Sequence, residues 1–371
     1  MALLQIFAEL VKRVLRIGTG AGAEAARIVA IGREILGEQK IVAVDVGAAM
    51  GLLPHWEWLD GIATIYQVEP RADACRTLEA QNARRQSPGM YHVVEAALAE
   101  RGGKATLYVS SAPTGTSLLR PDPVSSPDCC DYVDLTYLYP IEEREIEVET
   151  LATLMNRLGE QQLDLVKLDV QGSELPILRG LDAARANNLL GVELEIGLHD
   201  FYPEQAGFCD AMQFLEKQGL ELFDVRVARV HRPFQNDHAY YQRRVFSVYA
   251  NSPTISARIW EFDAIFFRRK STLLAQRDSR QLRRMLLVYC TYNYFSEAYS
   301  LVEKAEAAAI FPRDEGQQLK SAIVELHRRR HMRAWLADTP QMERWRRLMY
   351  RIAPRSAPRW CQYMYQSYPN G

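Results

Sequence analysis

The sequence predicts an α/β protein built on a parallel sheet with helices on both faces, with helices before it and an all-helical region after it. Three observations carry this expectation. Between Ile41 and Arg269, short β-branched runs alternate with helical stretches. The runs are apolar almost throughout, as in strands buried on both faces by crossover helices. After Lys270 no convincing strand remains. The 371 residues are 48% hydrophobic and 25% charged with a formal charge of −1, enough for two or three cores. This composition excludes a disordered, a collagenous or a polyanion-coating chain. No uninterrupted apolar stretch reaches the ~18 residues of a membrane span, so a soluble protein is expected.

The elements follow in order. Leu3, Leu4, Phe7, Leu10, Val11, Val14 and Leu15 recur at the spacing of an amphipathic helix. A second helix is expected from Ala23 to Leu36. Gly18 to Gly22 between them reads as a linker, because no β-type run precedes it as a dinucleotide fingerprint requires. The strands are IVAVDV, ATIYQVE, YHVVEAAL, ATLYVS, DLVKLDV and LLGVELEI, then Leu222 to Val227, Val245 to Tyr249 and EFDAIFFRR. The Pro-, Ser- and Asp-rich stretch from Ser110 to Tyr139 is too long for a simple connection and suggests a lid or a binding wall. Ser279–Cys290, Tyr294–Ala309 and Gln317–Trp335 read as helices. Three regions result: residues 1–40, 41–270 and 271–371.

Charge is unevenly spread. Ser321 to Trp360 carries +7, so the rest of the chain carries −8. Arg328, Arg329, Arg330 and Arg333, with Trp345, Arg346 and Arg347 beyond, form either an anion-binding surface for phosphates or membrane or a solvated basic face. Tyr292 to Ala308 resembles one helical hairpin of a repeat and reads as a packing helix, for a homo-oligomer or for the edge of the sheet. Six cysteines make neither a disulfide scaffold nor a zinc pair, and the N-terminus lacks a clean secretory apolar run. A cytoplasmic location is expected.

The strongest chemical signal is the run from Val42 to Gly51, an apolar strand ending in Asp45, Gly47 and Gly51. Glycines there allow an unusual backbone turn and let a ligand press on the backbone. Open α/β sheets bind ligands outside the carboxyl ends of their strands. The next strand ends at Glu69-Pro70, 24 positions after Asp45, where a carboxylate can take both hydroxyls of a ribose. A ribose with a cationic group describes S-adenosylmethionine. The pyrophosphate of NAD fits poorly beside an acid, and no Tyr precedes any Lys by four positions.

The stretch Asp164 to Glu174 is the second constellation. Strand alternation puts Lys167 and Asp169 on one face, with Asp169 at the carboxyl edge. Lys167 and Glu174 read as an ion pair. Candidate bases for an acceptor hydroxyl are His199, Asp200 and Asp169, with His55 behind them. Glu193 and Glu195 point the same way, one toward substrate and at least one structural. Asp169 with these acids could also hold Mg²⁺, an alternative ranked below a metal-free route.

These residues resemble the FkbM-type S-adenosylmethionine-dependent methyltransferases. The resemblance rests on Asp45-Val46-Gly47-Ala48 with Gly51, on Glu69-Pro70, on Ala105 to Tyr108 followed by Gly115 to Leu118, on Val166 to Glu174, and on Asp263 to Phe267. It covers about Ile41 to Arg269. It implies a Rossmann-like class I methyltransferase sheet and O-methylation of a hydroxyl on a sugar, glycan or glycosylated natural product. Asp45, Gly47, Ala48 and Gly51 would line the methionine side, Glu69 and Pro70 the ribose, and Ala96 the adenine. Asp169 would border cofactor and acceptor, and Ser117 with Glu193 and Glu195 would meet the acceptor. Ala49 replaces the usual Asn of the family. That change favours one rival reading, a non-catalytic scaffold that binds cofactor through a degenerate core.

Overall fold

The computed structural model describes residues 25–122, 138–198, 201–230 and 258–337. The predicted helix at Leu3 to Leu15, the Gly18 to Gly22 linker, the strand at Val245 to Tyr249, His199, Asp200, Trp345, Arg346 and Arg347 lie outside them.

Among the described residues there are ten strands: β1 Ile41–Val46, β2 Ala63–Glu69, β3 Tyr91–Glu95, β4 Ala97–Leu98, β5 Gly103–Ser110, β6 Pro140–Glu149, β7 Leu165–Leu168, β8 Gly191–Gly197, β9 Leu220–Val230 and β10 Arg258–Arg268. Seven form one sheet in the order β3-β2-β1-β7-β8-β10-β9. The pairs from β3 through β8 are parallel, whereas β10 runs antiparallel to both β8 and β9. Every residue of β1 is buried, which explains why its sequence is apolar apart from Asp45. β5 departs from the expected parallel sheet. It joins β4 and β6 in a separate three-stranded sheet. The sequence reading missed β6, because its glutamates lie exposed and leave no apolar face to recognise.

Helices cover both faces. They are α1 (residues 25–36), α2 Ala72–Asn82, α3 Leu151–Arg157, α4 Glu174–Arg179, α5 Ala183–Asn188, α6 Phe208–Lys217, α7 Lys270–Gln276, α8 Ser279–Thr291, α9 Phe295–Ala307 and α10 Arg313–Ala337. Thr150, Asp182 and Asp278 cap α3, α5 and α8 through their side-chain oxygens, satisfying amides that a helix start leaves unpaired. One core joins Val42, Val44, Val166 and Leu168 to α3, α4 and α6. On the other face, Ala43, Leu165, Ile265 and Phe267 pack with α1 and with α7 to α10. The C-terminal helices therefore share a core with the sheet, a packing already evident at Phe267, whose ring meets Tyr289, Tyr292 and Tyr294.

The expected basic surface is partly internal. Arg330 is buried, donates to the carbonyls of Cys290 and Thr291, and lies over the rings of Trp58 and Phe295. Arg329 pairs with Glu325 one turn away. The Arg330 contacts staple α10 to the end of α8.

Candidate functional site

From β1 the chain moves outward through β2 to β3, and β7 then lies on the other side of β1. Such a reversal leaves a crevice beyond the strand ends, where open α/β sheets take ligands. The Gly47 amide donates to Val68 O at 3.0 Å, and the Asp169 amide donates to Val46 O at 3.1 Å. Gly47 has φ +76°, and a Cβ there would sit 1.8 Å from the Asp169 carbonyl oxygen. Only glycine allows both the left-handed turn and that close approach. The cleft above encloses about 660 Å³ open to solvent, with Gly47, Glu69, Pro70, Ala96, Asp169 and Gln171 on its walls.

Glu69 is 4% exposed and accepts from the Arg71 amide at 3.0 Å and from the Ala49 amide. Burial pushes its carboxyl up to about 7 despite those donors. Burial also raises Asp45, against the pull of Lys167. Lys167 lies 3.3 Å from Asp45 and 3.1 Å from Asp169. Burial alone would lower its ammonium, but Asp169 and Asp45 outweigh that and raise it, so the lysine stays charged. Asp169 is held below the usual carboxylate range, because Lys167 and donated hydrogen bonds overcome its burial.

Gln171 follows in the left-handed region at φ +59°. Its amide donates to Glu195 at 2.6 Å and to Asp169 at 3.3 Å. Burial and the Asp169 charge drive Glu195 well above its usual range, and the protonated acid bonds to Asp169. Glu195 borders a second cleft open to solvent, which shares Gln171 with the first. Aromatic Phe201, Tyr202 and Trp260 stand there beside Glu195 and Glu261. Burial, with the Asp169 charge, raises Glu261 to about 7.

A third cluster lies beneath the C-terminal helices. Glu193 accepts from Tyr292 Oη at 2.8 Å and meets His55 Nε2 at 2.9 Å, with Arg226 at 3.5 Å. Arg226 approaches His55 Nδ1 at 3.1 Å, and Trp56 Nε1 donates to Tyr292 Oη at 3.0 Å. Burial lowers His55, so the neutral ring gives Nε2–H to Glu193 and accepts from Arg226. Neither ring nitrogen is left to act as a base.

The sequence profile described as "Methyltransferase FkbM domain" matches residues 45–222. That stretch, just under half of the chain, is similar to a methyltransferase FkbM domain. Among solved structures, the chain is similar to a methyltransferase FkbM from Methylobacillus flagellatus KT, at 13% identity and TM-score 0.34, over 62% of this chain and 43% of that one. It thus spans less than half the length of that protein. A putative RNA methyltransferase from Pyrococcus horikoshii matches at 11% identity and TM-score 0.29, over 67% of this chain and 85% of that one. A TehB-like SAM-dependent methyltransferase from Corynebacterium glutamicum matches at 12% and 0.26, over 71% and 99%. These likenesses are too slight to carry substrate or mechanism. No curated protein matches the chain.

Within the matched stretch, the first cleft gathers Gly47, Glu69, Pro70, Ala96, Asp169 and Ser117 from the expected set, but its walls do not include Asp45, Ala48 or Gly51. Asp45 is 1% exposed and faces Lys167 below the cleft. Ala48 is buried, and the Gly51 amide closes the turn onto Ala48 O at 2.8 Å. Ser117 reaches the cleft, yet its hydroxyl donates to Gln171 O at 2.8 Å and accepts from the Leu119 amide at 2.9 Å. It latches the β5 connection onto the loop after β7. Glu193 lines neither cavity and is committed to the cluster below. The expected Lys167–Glu174 pair does not form, because Glu174 accepts from the Val170 and Gly172 amides at 3.0 and 3.1 Å. Gln171, Glu261 and Trp260 were not singled out from sequence. Only the position of Gln171 after Asp169 hinted at a role.

Among the described residues no group of His, Cys, Asp and Glu forms a metal site, and no helix there is long and apolar enough to cross a membrane.

Proposed function

We propose that this protein is an S-adenosylmethionine-dependent O-methyltransferase acting on a hydroxyl of a sugar, glycan or glycosylated natural product, by a metal-free in-line transfer. One observation carries the reading. The backbone cradle at Gly47, which a single Cβ would fill, lies in one cleft with a buried carboxyl at the tip of β2. Gly47 and the Asp169 backbone would hold the methionine portion, Glu69 the ribose hydroxyls, and Ala96 with Leu98 the adenine. Bound there, S-adenosylmethionine supplies a methyl group whose bond to sulfur breaks, its electron pair leaving with the sulfur, as the acceptor oxygen bonds to carbon.

The chain's own residues supply alignment and proton handling. Asp169 is ionised, anchored by Lys167 and Gln171, and borders the cleft. It accepts the hydrogen bond of the acceptor hydroxyl, fixes the direction of the oxygen lone pair, and receives the proton as the oxygen is alkylated. Asp45 acts through Lys167, keeping the ammonium beneath Asp169. Glu193 supports the floor rather than the acceptor.

Calorimetric titration with S-adenosylhomocysteine, followed by radiolabelled methyl transfer to candidate glycosides, tests the proposal. Binding and transfer are expected. Absence of nucleoside binding would overturn the cofactor assignment, and binding without transfer to any acceptor would favour the scaffold.

A further inference from the structure

We infer that the buried cluster under the C-terminal helices is a positioning device for the site: Tyr292, His55 and Arg226 hold the Glu193 carboxylate off Lys167, so that the ammonium stays with Asp169. What Asp169 then does rests on the methyltransferase reading above; where the ammonium sits does not. Glu193 on β8 is the register partner of Lys167 on β7. Paired residues on neighbouring strands stand about 4.8 Å apart and send their side chains to the same face. A change of rotamer would therefore be enough to join this carboxylate to this ammonium. Both side chains are buried, where such a bond is strong. Yet Lys167 Nζ meets Asp169 at 3.1 Å and Asp45 at 3.3 Å, and among the described residues no ion pair links it to Glu193.

Glu193 is drawn to the other side. Tyr292, at the end of α8, gives its hydroxyl hydrogen to Glu193 Oε2 at 2.8 Å. Trp56 Nε1 is a donor only and occupies a lone pair of the same hydroxyl at 3.0 Å, which leaves the phenol to donate. The neutral His55 ring donates to Oε2 at 2.9 Å, and the Arg226 guanidinium stands 3.5 Å from Oε1. Against its burial, His55, Arg226 and Tyr292 keep the Glu193 carboxyl below the usual range. Asp169 faces Lys167 on β7 together with Asp45 on β1, Glu195 on β8, Glu261 and Asp263 on β10 and Glu174 on α4. Of these groups only Lys167 carries positive charge, so a Glu193 released to share the ammonium would draw a proton onto Asp169. Tyr292 is thereby the point at which the C-terminal helices act on the site.

The full chain, with its aspartates ¹³C-labelled at the carboxyl and its lysines ¹⁵N-labelled at Nζ, is titrated by NMR; Asp169→Asn and Lys167→Arg assign the two signals. In the wild type Asp169 should stay ionised down to about pH 5, as a carboxylate paired with an ammonium does. Tyr292→Phe combined with His55→Phe keeps a ring at each position and removes both donors. That double variant should raise the Asp169 midpoint by roughly two pH units and shift the Lys167 Nζ resonance. Adding Glu193→Gln, which cannot attract the ammonium as a carboxylate does, should return Asp169 to its wild-type titration. Tyr292→Phe alone should move Asp169 the same way by a smaller step, and it serves as the measurement if the double variant does not fold. A cluster that merely braced the fold would lower the unfolding midpoint in every variant and leave the Asp169 titration where it is. The inference is overturned by that result, or by a rise that Glu193→Gln does not reverse. No cofactor or acceptor enters the titration, so a chain that fails to bind S-adenosylhomocysteine in calorimetry would sink the methyltransferase reading alone.

Discussion

If Glu69 holds the ribose as proposed, nucleoside binding should be sensitive to pH in the physiological range. The Glu69 carboxyl is buried at the end of β2 and pushed up to about 7. Only the ionised form can accept from both hydroxyls of a ribose, so binding must expel the proton wherever the carboxyl holds one. With an apparent value near 7, about nine tenths of the protein is ready at pH 8 and about one tenth at pH 6, so affinity for S-adenosylhomocysteine should fall roughly tenfold between them. The sign is fixed: binding strengthens as pH rises through 7 and levels off above it. Glu69→Gln removes the titrating group and replaces two charge-assisted bonds, each worth about 1.5–3 kcal/mol. That variant should bind at least tenfold more weakly at pH 8 and show a flat profile. Isothermal titration in two buffers of different ionisation enthalpy would count the protons released, close to one per nucleoside at pH 6. A flat wild-type profile, or a Gln variant that binds as tightly at pH 8, would refute the reasoning.

Four further outcomes are expected. Gly47→Ala should lose about 1–2 kcal/mol from its left-handed backbone alone and more from the Asp169 carbonyl, with nucleoside binding abolished; an unchanged urea midpoint would contradict the cradle. Lys167→Met strips the cation from two buried carboxylates and should cost about 3–5 kcal/mol. Without Lys167 the already raised folded-state value of Asp45 rises further and that of Asp169 rises above its unfolded one, so the deficit should grow as pH rises from 5 in chemical denaturation. Tyr292→Phe leaves Trp56 Nε1 and Glu193 short of a partner, for a loss of about 1–3 kcal/mol in the same assay. Methyl transfer should survive dialysis against EDTA, and abolition restored by Mg²⁺ would revive the metal-assisted route.

What the sequence made legible was local. β1, β2, β7 and β8 announced themselves as β-branched runs, because both faces of each are covered. The helices after Lys270 followed from their spacing, and Gly47 and Glu69 from their place at strand ends. The antiparallel insertion of β10 between β8 and β9 left no trace, since strand order is decided by tertiary pairing. Likewise, Glu193 could not be distinguished from Glu195 by alternation, which puts both on one face. They part company because His55, Arg226 and Tyr292 arrive at Glu193 from distant segments, while Gln171 arrives at Glu195. Ser117 was legible as a loop residue at the cleft, but its hydroxyl's commitment to Gln171 depends on how the small sheet docks.

The placement of β10 also bears on protein engineering. The segment matching the FkbM profile stops at Leu222, before the strand that fills the middle of the sheet's far half has been made. An excised fragment would carry β8 with a bare edge and Glu193 without its tyrosine. Such a truncation would clump through that edge instead of behaving as a minimal enzyme, so grafting or trimming has to keep the polypeptide through α9.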